Sequence, residues 1–388
     1  MTSLAAALAE DLRSLENAGL RRHRRVLETP QGAHVTVDGR DYIAFCSNDY
    51  LGLAAHPELV AAACEGAQRF GLGAGASHLI LGHTSAHHTL EHALAQFVDL
   101  PAALFFSTGY MANLGVVTAL ASRGDAIFAD KLNHASLNDA ALLSRAQFKR
   151  YAHGDLSALE QLLNATTAKT KVIVSDAVFS MDGDLAPVAA LLDLAQRHDA
   201  WLVLDDAHGF GVLGERGRGI LEHTGLRAAR IAYVGTLGKA AGVYGAFVAG
   251  ECELIETLVQ RARTYVYTTA TPPLIAHALL KSLELIERAG ERRTRLRALM
   301  TRLKHGLREC RWKLLPSDTP IQPLIIGDGR DALALAAQLT ERGILVPAIR
   351  PPTVPQVSAR LRISLSADHT HADVDALVRA LLEVEAAS

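Results

Sequence analysis

Reactive side chains follow two short apolar runs of the sequence. Asp205 and His208 come directly after the run Trp201 to Leu204. Lys239 follows the run Ile231 to Val234, among glycine and alanine residues that leave room for a bulky group. A carboxylate at the end of an apolar strand needs a cation or a hydrogen-bond donor as its partner, such as a protonated ring nitrogen. A lysine that is desolvated beside another cation becomes nucleophilic and can form an imine with an aldehyde.

A third such position is the turn Ser107 to Asn113, which follows an apolar run and opens a helical pattern. The free N–H groups and the dipole of a helix start favour a phosphate. The turn is neither a Walker loop nor the glycine-rich turn of dinucleotide sites. Each position also has a plain structural interpretation: a capped helix start, a helix-capping or metal-binding carboxylate for Asp205, and a solvated surface lysine for Lys239. Together the three match the phosphate, pyridinium and aldehyde of pyridoxal 5'-phosphate (PLP).

The composition is that of an ordinary globular protein. Of 388 residues, 49% are hydrophobic and 21% are charged, which excludes disordered and disulfide-stapled classes. The 39 Lys and Arg residues against 41 Asp and Glu residues give a formal net charge of −2, so no basic field exists to hold nucleic acid or an anionic membrane. The cysteines form no C-x-x-C pair, and no apolar run reaches the length of a membrane span. We expect a cytoplasmic protein with no nucleic-acid or membrane partner.

The apolar runs alternate with longer helical patterns, which is typical of parallel βαβ units. Six buried strands are predicted, at Ala103 to Phe106, Ala126 to Ala129, Val172 to Ser175, Trp201 to Leu204, Ile231 to Val234 and Ala246 to Ala249. Strands that are apolar throughout are buried on both faces. We therefore expect an α/β fold in which helices cover both faces of a mostly parallel sheet.

After residue 250 the pattern changes to longer helices and short strands. Helices are predicted at Glu253 to Ala262, Pro273 to Met300, Asp331 to Arg342 and Thr370 to Glu383, and strands at Pro323 to Ile326, Ile344 to Pro347 and Arg360 to Leu365. We expect an N-terminal helix with small strands over residues 1–45, a large domain over 46–285 and a small α+β domain over 286–388. The basic run Arg21 to Arg25 is interpreted as a solvated helix end, with a phosphate-binding patch as the alternative.

Six segments carry a resemblance to a known family. They are Ser47 to Gly52, Gly71 to Ser77, Asp130 to Ser136, Phe179 to Asp184, Asp205 to Gly209 and Thr236 to Lys239. Each alone is moderately specific, whereas all six in this order are very specific. Over nearly its whole length the chain resembles the α-oxoamine synthases among the fold-type I PLP enzymes. The resemblance implies a large PLP-binding domain with a mostly parallel sheet between helices, and a small α+β C-terminal domain.

The resemblance also implies roles for the matching residues. Lys239 would hold the cofactor covalently, Asp205 would keep its ring nitrogen protonated, and His134 would stack on the ring; these are the implied catalytic residues. The remaining cofactor-binding residues implied are Gly109, Tyr110, Ser180, His208 and Thr236. The substrate-binding residues implied are Arg21, His134, Thr353 and Arg362. Arg362 would pair with the carboxylate of the amino acid, since a guanidinium group can hold a planar carboxylate through two parallel bonds.

Two segments narrow the resemblance within the family. These segments, Ile321 to Ile325 and Ile349 to Pro355, are most similar to the family members that act in biotin synthesis. Those enzymes condense L-alanine with a pimeloyl thioester and release carbon dioxide. A sibling that uses glycine and another acyl thioester is the alternative enzyme, and a PLP-binding regulatory module without turnover is the alternative of another class. The acyl carrier, coenzyme A or acyl carrier protein, stays open. The resemblance implies a homodimer in which Asn48 and Tyr267 to Thr269 approach the cofactor across the subunit boundary.

Four histidines near the start of a predicted helix could also bind a metal. They are His83, His87, His88 and His92, and they include pairs at i,i+4 spacing. No carboxylate is evident as a further ligand, and the resemblance accounts for this region as a wall of the active site facing the dimer. We therefore expect no metal.

Overall fold

A computed structural model describes residues 4–387 of the chain. Its strands in chain order are β1 (His34–Val37), β2 (Arg40–Ala44), β3 (Ala102–Phe106), β4 (Ala126–Asp130), β5 (Gln147–Tyr151), β6 (Lys171–Asp176), β7 (Trp201–Asp205), β8 (Ile231–Thr236), β9 (Ala246–Gly250), β10 (Lys313–Leu314), β11 (Ile321–Gly327), β12 (Ile344–Leu345), β13 (Ala348–Ile349) and β14 (Ala359–Ser364).

The helices in chain order are α1 (Leu4–Asn17), α2 (Pro57–Phe70), α3 (Ser85–Val98), α4 (Gly109–Leu120), α5 (Ala135–Ser144), α6 (Leu156–Asn164), α7 (Val188–Arg197), α8 (Ile220–Thr224), α9 (Cys252–Arg261), α10 (Arg263–Val266), α11 (Pro273–Arg288), α12 (Gly290–Gly306), α13 (Gly329–Glu341) and α14 (His371–Ala386). A π-helical turn occupies His78–Gly82. No helix within residues 4–387 is long and apolar enough to cross a membrane.

The apolar runs form one seven-stranded sheet with the order β3-β9-β8-β7-β6-β4-β5. All of its strands are parallel except β9, which runs antiparallel to both neighbours. The interior strands are buried along their length, and two hydrophobic cores pack on the two faces. The prediction of a mostly parallel sheet between helices is confirmed, as are all six predicted strands. The sequence patterns missed β5, because this edge strand is only partly buried and reads Gln-Phe-Lys-Arg-Tyr.

The long helix predicted from Pro273 to Met300 is wrong, because the chain leaves the helix at Ala289. Arg293 explains how the break is tolerated. Its guanidinium group is buried and donates to the carbonyl of Ile286, in the last turn of α11, at 2.6 Å and to the carbonyl of Glu215 at 2.9 Å. A carbonyl at a helix end needs such a donor when water cannot reach it. Arg293 belongs to the charged run Glu291 to Arg295, and the sequence gives no sign that one of its charges is buried.

The C-terminal part contains a four-stranded antiparallel sheet with the order β10-β11-β14-β13. The predicted strand at Ile344 to Pro347 is shorter than expected and does not join this sheet. Instead, β12 pairs in parallel with β2, so a separate three-stranded sheet joins the N-terminal strands to the C-terminal part. The basic run Arg21 to Arg25 is not a helix end, because α1 ends at Asn17 and the run is exposed and outside any helix or strand.

Candidate active site

Polar side chains meet where three neighbouring strands of the central sheet end. Asp176 ends β6 and lies in register with Asp205, which ends β7, and Thr236 ends the adjacent β8. All three are less than 9% exposed. The carboxyl ends of parallel strands form the usual ligand-binding edge of an open α/β sheet. The predicted meeting of Asp205 and the Lys239 segment at one edge is therefore found.

Lys239 lies in the turn that connects β8 to β9. Its Nζ is 2.9 Å from Nε2 of His208, and Nδ1 of His208 is 2.7 Å from the hydroxyl of the fully buried Tyr50. Burial lowers the pKa of Lys239 to about 8, although the charges of Asp205 and Asp176 act in the opposite direction. Burial and the charge of Lys239 also hold the pKa of His208 well below its usual range. The amine is therefore kept reactive beside a neutral imidazole.

The Lys239 turn depends on the absence of a side chain at Gly242. This glycine has a φ of +70°, and a Cβ atom there would lie 2.6 Å from the carbonyl carbon of Leu53. The turn therefore packs directly against the segment that carries Asn48 and Tyr50.

Two buried carboxylates face this turn. Asp205 accepts hydrogen bonds from Nδ2 of Asn113 at 2.6 Å and from the backbone of Ala207 at 3.0 Å. Asp176 accepts from the backbone of His134 at 2.8 Å. Burial, together with the charge of Asp205, raises the pKa of Asp176 well above its usual range. Asp205 does not cap a following helix, since turns occupy the chain up to α8.

His134 is the N-cap residue of α5 and is exposed in the single chain. Partial desolvation and the charge of Lys239 lower its pKa, against the opposing charge of Asp205. His134 is therefore neutral at pH 7 and lies within electrostatic reach of both Lys239 and Asp205.

The start of α4 supplies the donors of an anion site. Thr108 caps this helix, and a Cβ atom added to Gly109 would lie 3.7 Å from Oγ1 of Thr236. Ser107 Oγ lies 3.0 Å from Oγ1 of Thr271. Free N–H groups and hydroxyls around a small first residue are what a phosphate requires. Tyr110 is 44% exposed, and its hydroxyl bonds to Asp139.

Arg362 places a positive charge beside the hydroxyl of Tyr50, the same hydroxyl that contacts His208. It is 5% exposed and donates to the carbonyl of Ser180 at 2.6 Å, to Oδ1 of Asn48 at 3.2 Å and to the hydroxyl of Tyr50 at 3.4 Å. No carboxylate pairs with it among residues 4–387. A buried guanidinium charge without an anionic partner favours binding of an anionic ligand.

Asn48 contacts Arg362 of its own chain. This contact forms because the loop after β2 folds back onto β14, where the backbone N–H of Ser364 donates to the carbonyl of Phe45. The approach of Asn48 to the cofactor across a subunit boundary stays a prediction.

Arg21 and Thr353 lie together, but in a separate groove of 860 Å³. Arg350 and Cys46 also line this groove, and Arg21 donates to Glu16 at 3.1 Å. The groove adjoins Arg362, whose backbone N–H donates to the carbonyl of Pro347 in the groove lining at 3.0 Å. The two predicted substrate residues thus lie beside the reactive cluster rather than within it.

The structure also brings three histidines together, His78, His83 and His87, with potential ligand atoms within 4.8 Å of one another. Both ring nitrogens of His87 are already used: Nδ1 accepts from the backbone of Thr84 at 3.1 Å, and Nε2 donates to the carbonyl of Thr271 at 2.7 Å. His87 therefore has no free lone pair for a metal, and its bonds instead tie α3 to the chain before α11.

Four residues of the site had no role in the sequence analysis: Tyr50, Asn113, Ser136 and Asp176. Asp176 had the same signal as Asp205, a carboxylate at the end of an apolar strand. Tyr50 and Ser136 lie within segments that carried the resemblance, and Asn113 ends the turn that begins at Ser107. Their contacts, however, join residues far apart in sequence. Pattern and spacing contain no signal for such contacts.

The functional groups of this cluster fit PLP. A partly buried amine of lowered pKa suits an aldehyde, the buried carboxylate of Asp205 suits a protonated ring nitrogen, and the start of α4 suits a phosphate. All three lie at one edge of the sheet.

Known proteins share this architecture. Residues 40–381 match the family model described as aminotransferase class I and II. The 8-amino-7-oxononanoate synthase of Nitrosospira multiformis is 62% identical over 97% of this chain and 96% of its own length. A solved 8-amino-7-oxononanoate synthase from Francisella tularensis has a TM-score of 0.77 at 34% identity, covering 89% of this chain and 98% of its own. A serine palmitoyltransferase from S. paucimobilis with a bound PLP–myriocin aldimine has a TM-score of 0.93 at 29% identity, covering 100% of this chain and 99% of its own.

Proposed function

Because the chain belongs to the aminotransferase class I and II family and, within it, to the 8-amino-7-oxononanoate synthases, we propose that it condenses L-alanine with a pimeloyl thioester. The products are 8-amino-7-oxononanoate, carbon dioxide and the free thiol, and the reaction belongs to biotin synthesis. The enzyme is an acyltransferase, and PLP is its cofactor. The observation that carries the proposal is the joint placement of the Lys239 amine beside the Asp205 carboxylate, with the Arg362 guanidinium linked to Lys239 through Tyr50 and His208.

When bound, PLP supplies an electron-withdrawing ring that makes the α-proton of the amino acid acidic. Lys239 would hold the cofactor covalently, and its amine would remove and return the α-proton. Its pKa of about 8 suits this task, because a base works best when its pKa is near the working pH. His208 orients the amine from 2.9 Å and is itself oriented by Tyr50.

Asp205 and the phosphate-end residues hold the cofactor in place. Asp205 keeps the ring nitrogen protonated, and the two donors on its oxygens fix its orientation. Gly109 and Tyr110 bind the phosphate end, with Thr236 beside them. Ser180 acts through its carbonyl, which holds Arg362.

Arg362 binds the carboxylate of alanine. We expect Arg362→Lys, which keeps the charge but loses the planar fork, to raise the KM for alanine about tenfold or more. The KM for the thioester should change much less. Steady-state kinetics with each substrate varied in turn measures the ratio.

Arg360→Lys is the matched control for this variant. Arg360 lies two residues earlier on β14, is equally buried and pairs with Asp182. Its replacement should lower the free energy of unfolding without changing the ratio of the two KM values. An equal rise in both KM values for Arg362→Lys would contradict its role in binding alanine.

The acyl group occupies the groove that contains Arg21 and Thr353. Four more cationic or ionisable basic side chains line this groove, namely Arg22, His23, Arg25 and Arg350. The positive charge of the groove suits the phosphates of either acyl carrier, coenzyme A or acyl carrier protein.

Product identification tests the function. Mass spectrometry after incubation with alanine and pimeloyl thioesters of both carriers should detect 8-amino-7-oxononanoate. Best activity with glycine and an acetyl thioester would contradict the substrate assignment and leave the family unchanged.

A homodimer completes the proposal. Exposed apolar side chains cluster on the π-helical turn and the adjoining segment, with Ile80 78% exposed, Leu81 84% and Tyr267 72%. The two segments are linked by the hydrogen bond from Ala270 to the carbonyl of Ala76 at 3.0 Å. Such a patch is typical of a protein interface. It would place the hydroxyls of Thr268 and Thr269 at the partner's phosphate end.

Mixing two inactive variants tests this arrangement. Thr269→Glu puts a carboxylate against the partner's phosphate, and Lys239→Ala removes the amine. In a mixed dimer one site has both a lysine and a native Thr269, so random exchange should restore about a quarter of wild-type activity. Each variant mixed with itself is the control. No recovery despite proven subunit exchange would show that Thr269 does not act across the boundary.

A further inference from the structure

A buried chain of hydrogen bonds connects the carboxylate of Asp205 with the ring of His134. Nδ2 of Asn113 lies 2.6 Å from Oδ2 of Asp205 and 2.9 Å from Oγ of Ser136. Oγ of Ser136 lies 2.7 Å from Nδ1 of His134. Asn113 and Ser136 are each 1% exposed, so water does not compete for these bonds.

Asp205 determines which group donates and which accepts in each hydrogen bond of this chain. A carboxylate only accepts, so Asn113 must turn its NH2 group toward Asp205, and its second hydrogen then goes to Ser136. Ser136 Oγ therefore accepts from Asn113 and donates its own hydrogen to Nδ1 of His134. Oδ1 of Asn113 is buried without a partner, which is a cost of this orientation.

A second donor reaches the same ring nitrogen. The backbone N–H of Ser136 points at Nδ1 of His134 from 3.3 Å, because His134 caps α5. A nitrogen that accepts from two donors carries no hydrogen, so the proton of the neutral ring is on Nε2. Within residues 4–387, Nε2 makes no hydrogen bond. It is free to bond a ligand in the cavity.

We infer that Asn113 and Ser136 are positioning residues that hold His134 in the tautomer with the proton on Nε2. The inference rests on the proposed function in one respect: it takes the ligand that faces His134 to be the substrate. In this tautomer His134 donates a hydrogen bond to an oxygen of the amino acid or the acyl group, where negative charge develops. It cannot accept the α-proton, because its only lone pair, on Nδ1, faces buried donors. Lys239 is then the one base beside the α-carbon.

Nitrogen-15 NMR of enzyme labelled at histidine tests the tautomer directly, with and without PLP. The His134 signals are identified by their loss in His134→Gln. In the native enzyme we expect a protonated Nε2 and an unprotonated Nδ1 in both forms. In Ser136→Ala the proton should redistribute between the two nitrogens, and Ser136→Thr, which keeps the hydroxyl, should restore the native signals.

The same variants separate positioning from stability. Exchange of the α-proton of alanine should fall about tenfold in Ser136→Ala and in Asn113→Ala. The double variant should lose less than the product of the two single losses, because both residues act on Nδ1 through the hydroxyl of Ser136, while Asn113 also holds Asp205. Asn138→Ala is the matched control, since Asn138 bonds the carbonyls of Asn133 and His134 but not the ring. It should leave both the NMR signals and the exchange rate unchanged.

A protonated Nδ1 in the native enzyme, or unchanged signals in Ser136→Ala, would overturn the inference. Failure of the proposed function would look different. It would appear as absence of the expected product, whereas the NMR experiment needs neither the thioester nor turnover.

Discussion

Lys239→Ala is expected to lower turnover by about 10⁴-fold or more, because the same amine holds the cofactor and moves the α-proton. The fold should survive, since the side chain ends in the cavity and its one hydrogen bond goes to His208. Borohydride reduction of the native enzyme should fix the cofactor to the peptide that contains Lys239, and the variant should not be labelled. Activity assays and peptide mass spectrometry measure both effects.

Lys169→Ala is the control for loss of a lysine elsewhere. Lys169 is exposed in the loop before β6, so its replacement should leave turnover and labelling at native levels. Labelling of another lysine in the native enzyme, or normal turnover of Lys239→Ala, would show that the assignment of Lys239 is wrong.

Asp205→Asn is expected to lower exchange of the α-proton of alanine by roughly 10³-fold, because the neutral amide no longer holds the ring nitrogen protonated. The structure adds a second cause. Asp205 accepts from both Asn113 and Ala207, whereas an asparagine has only one oxygen to offer. One of these donors must therefore lose its acceptor. Exchange measured with alanine alone in deuterated water isolates this step from the thioester.

Asp139→Asn is the control for loss of one negative charge near the cavity. Its carboxylate is exposed, and an asparagine can still accept from the hydroxyl of Tyr110. Exchange should change by no more than about threefold. Near-native exchange in Asp205→Asn would count against Asp205 as the partner of the ring nitrogen.

The central sheet and the reactive residues at its edge were predictable from sequence for one physical reason. A strand buried on both faces must be apolar throughout, so the first polar residue after it marks the edge of the sheet. Asp205 is such a residue, and Lys239 follows three residues after Thr236, the first polar residue after the next apolar run. The resemblance extended the set to His134 and Arg362, which no strand end identifies.

The parts that sequence patterns missed depend on contacts between distant residues. The break at Ala289 is accommodated by the buried Arg293, whose partners lie on α11 and in the Glu215 loop. The tautomer of His134 depends on Asn113, which lies on another helix. The pairing of β2 with β12 joins two short segments whose composition does not mark them as neighbours.

That last pairing has a consequence for synthesis on the ribosome. β2 is made early, but its partner β12 emerges about 300 residues later. The last strand of the central sheet ends at Gly250, whereas the site is complete only when Arg362 has been made and contacts Tyr50. In the interval the nascent chain carries an unpaired strand edge, which is a template for aggregation. A chain that stalls before Ile344 therefore has its lysine and its sheet, but neither a covered edge nor a closed site.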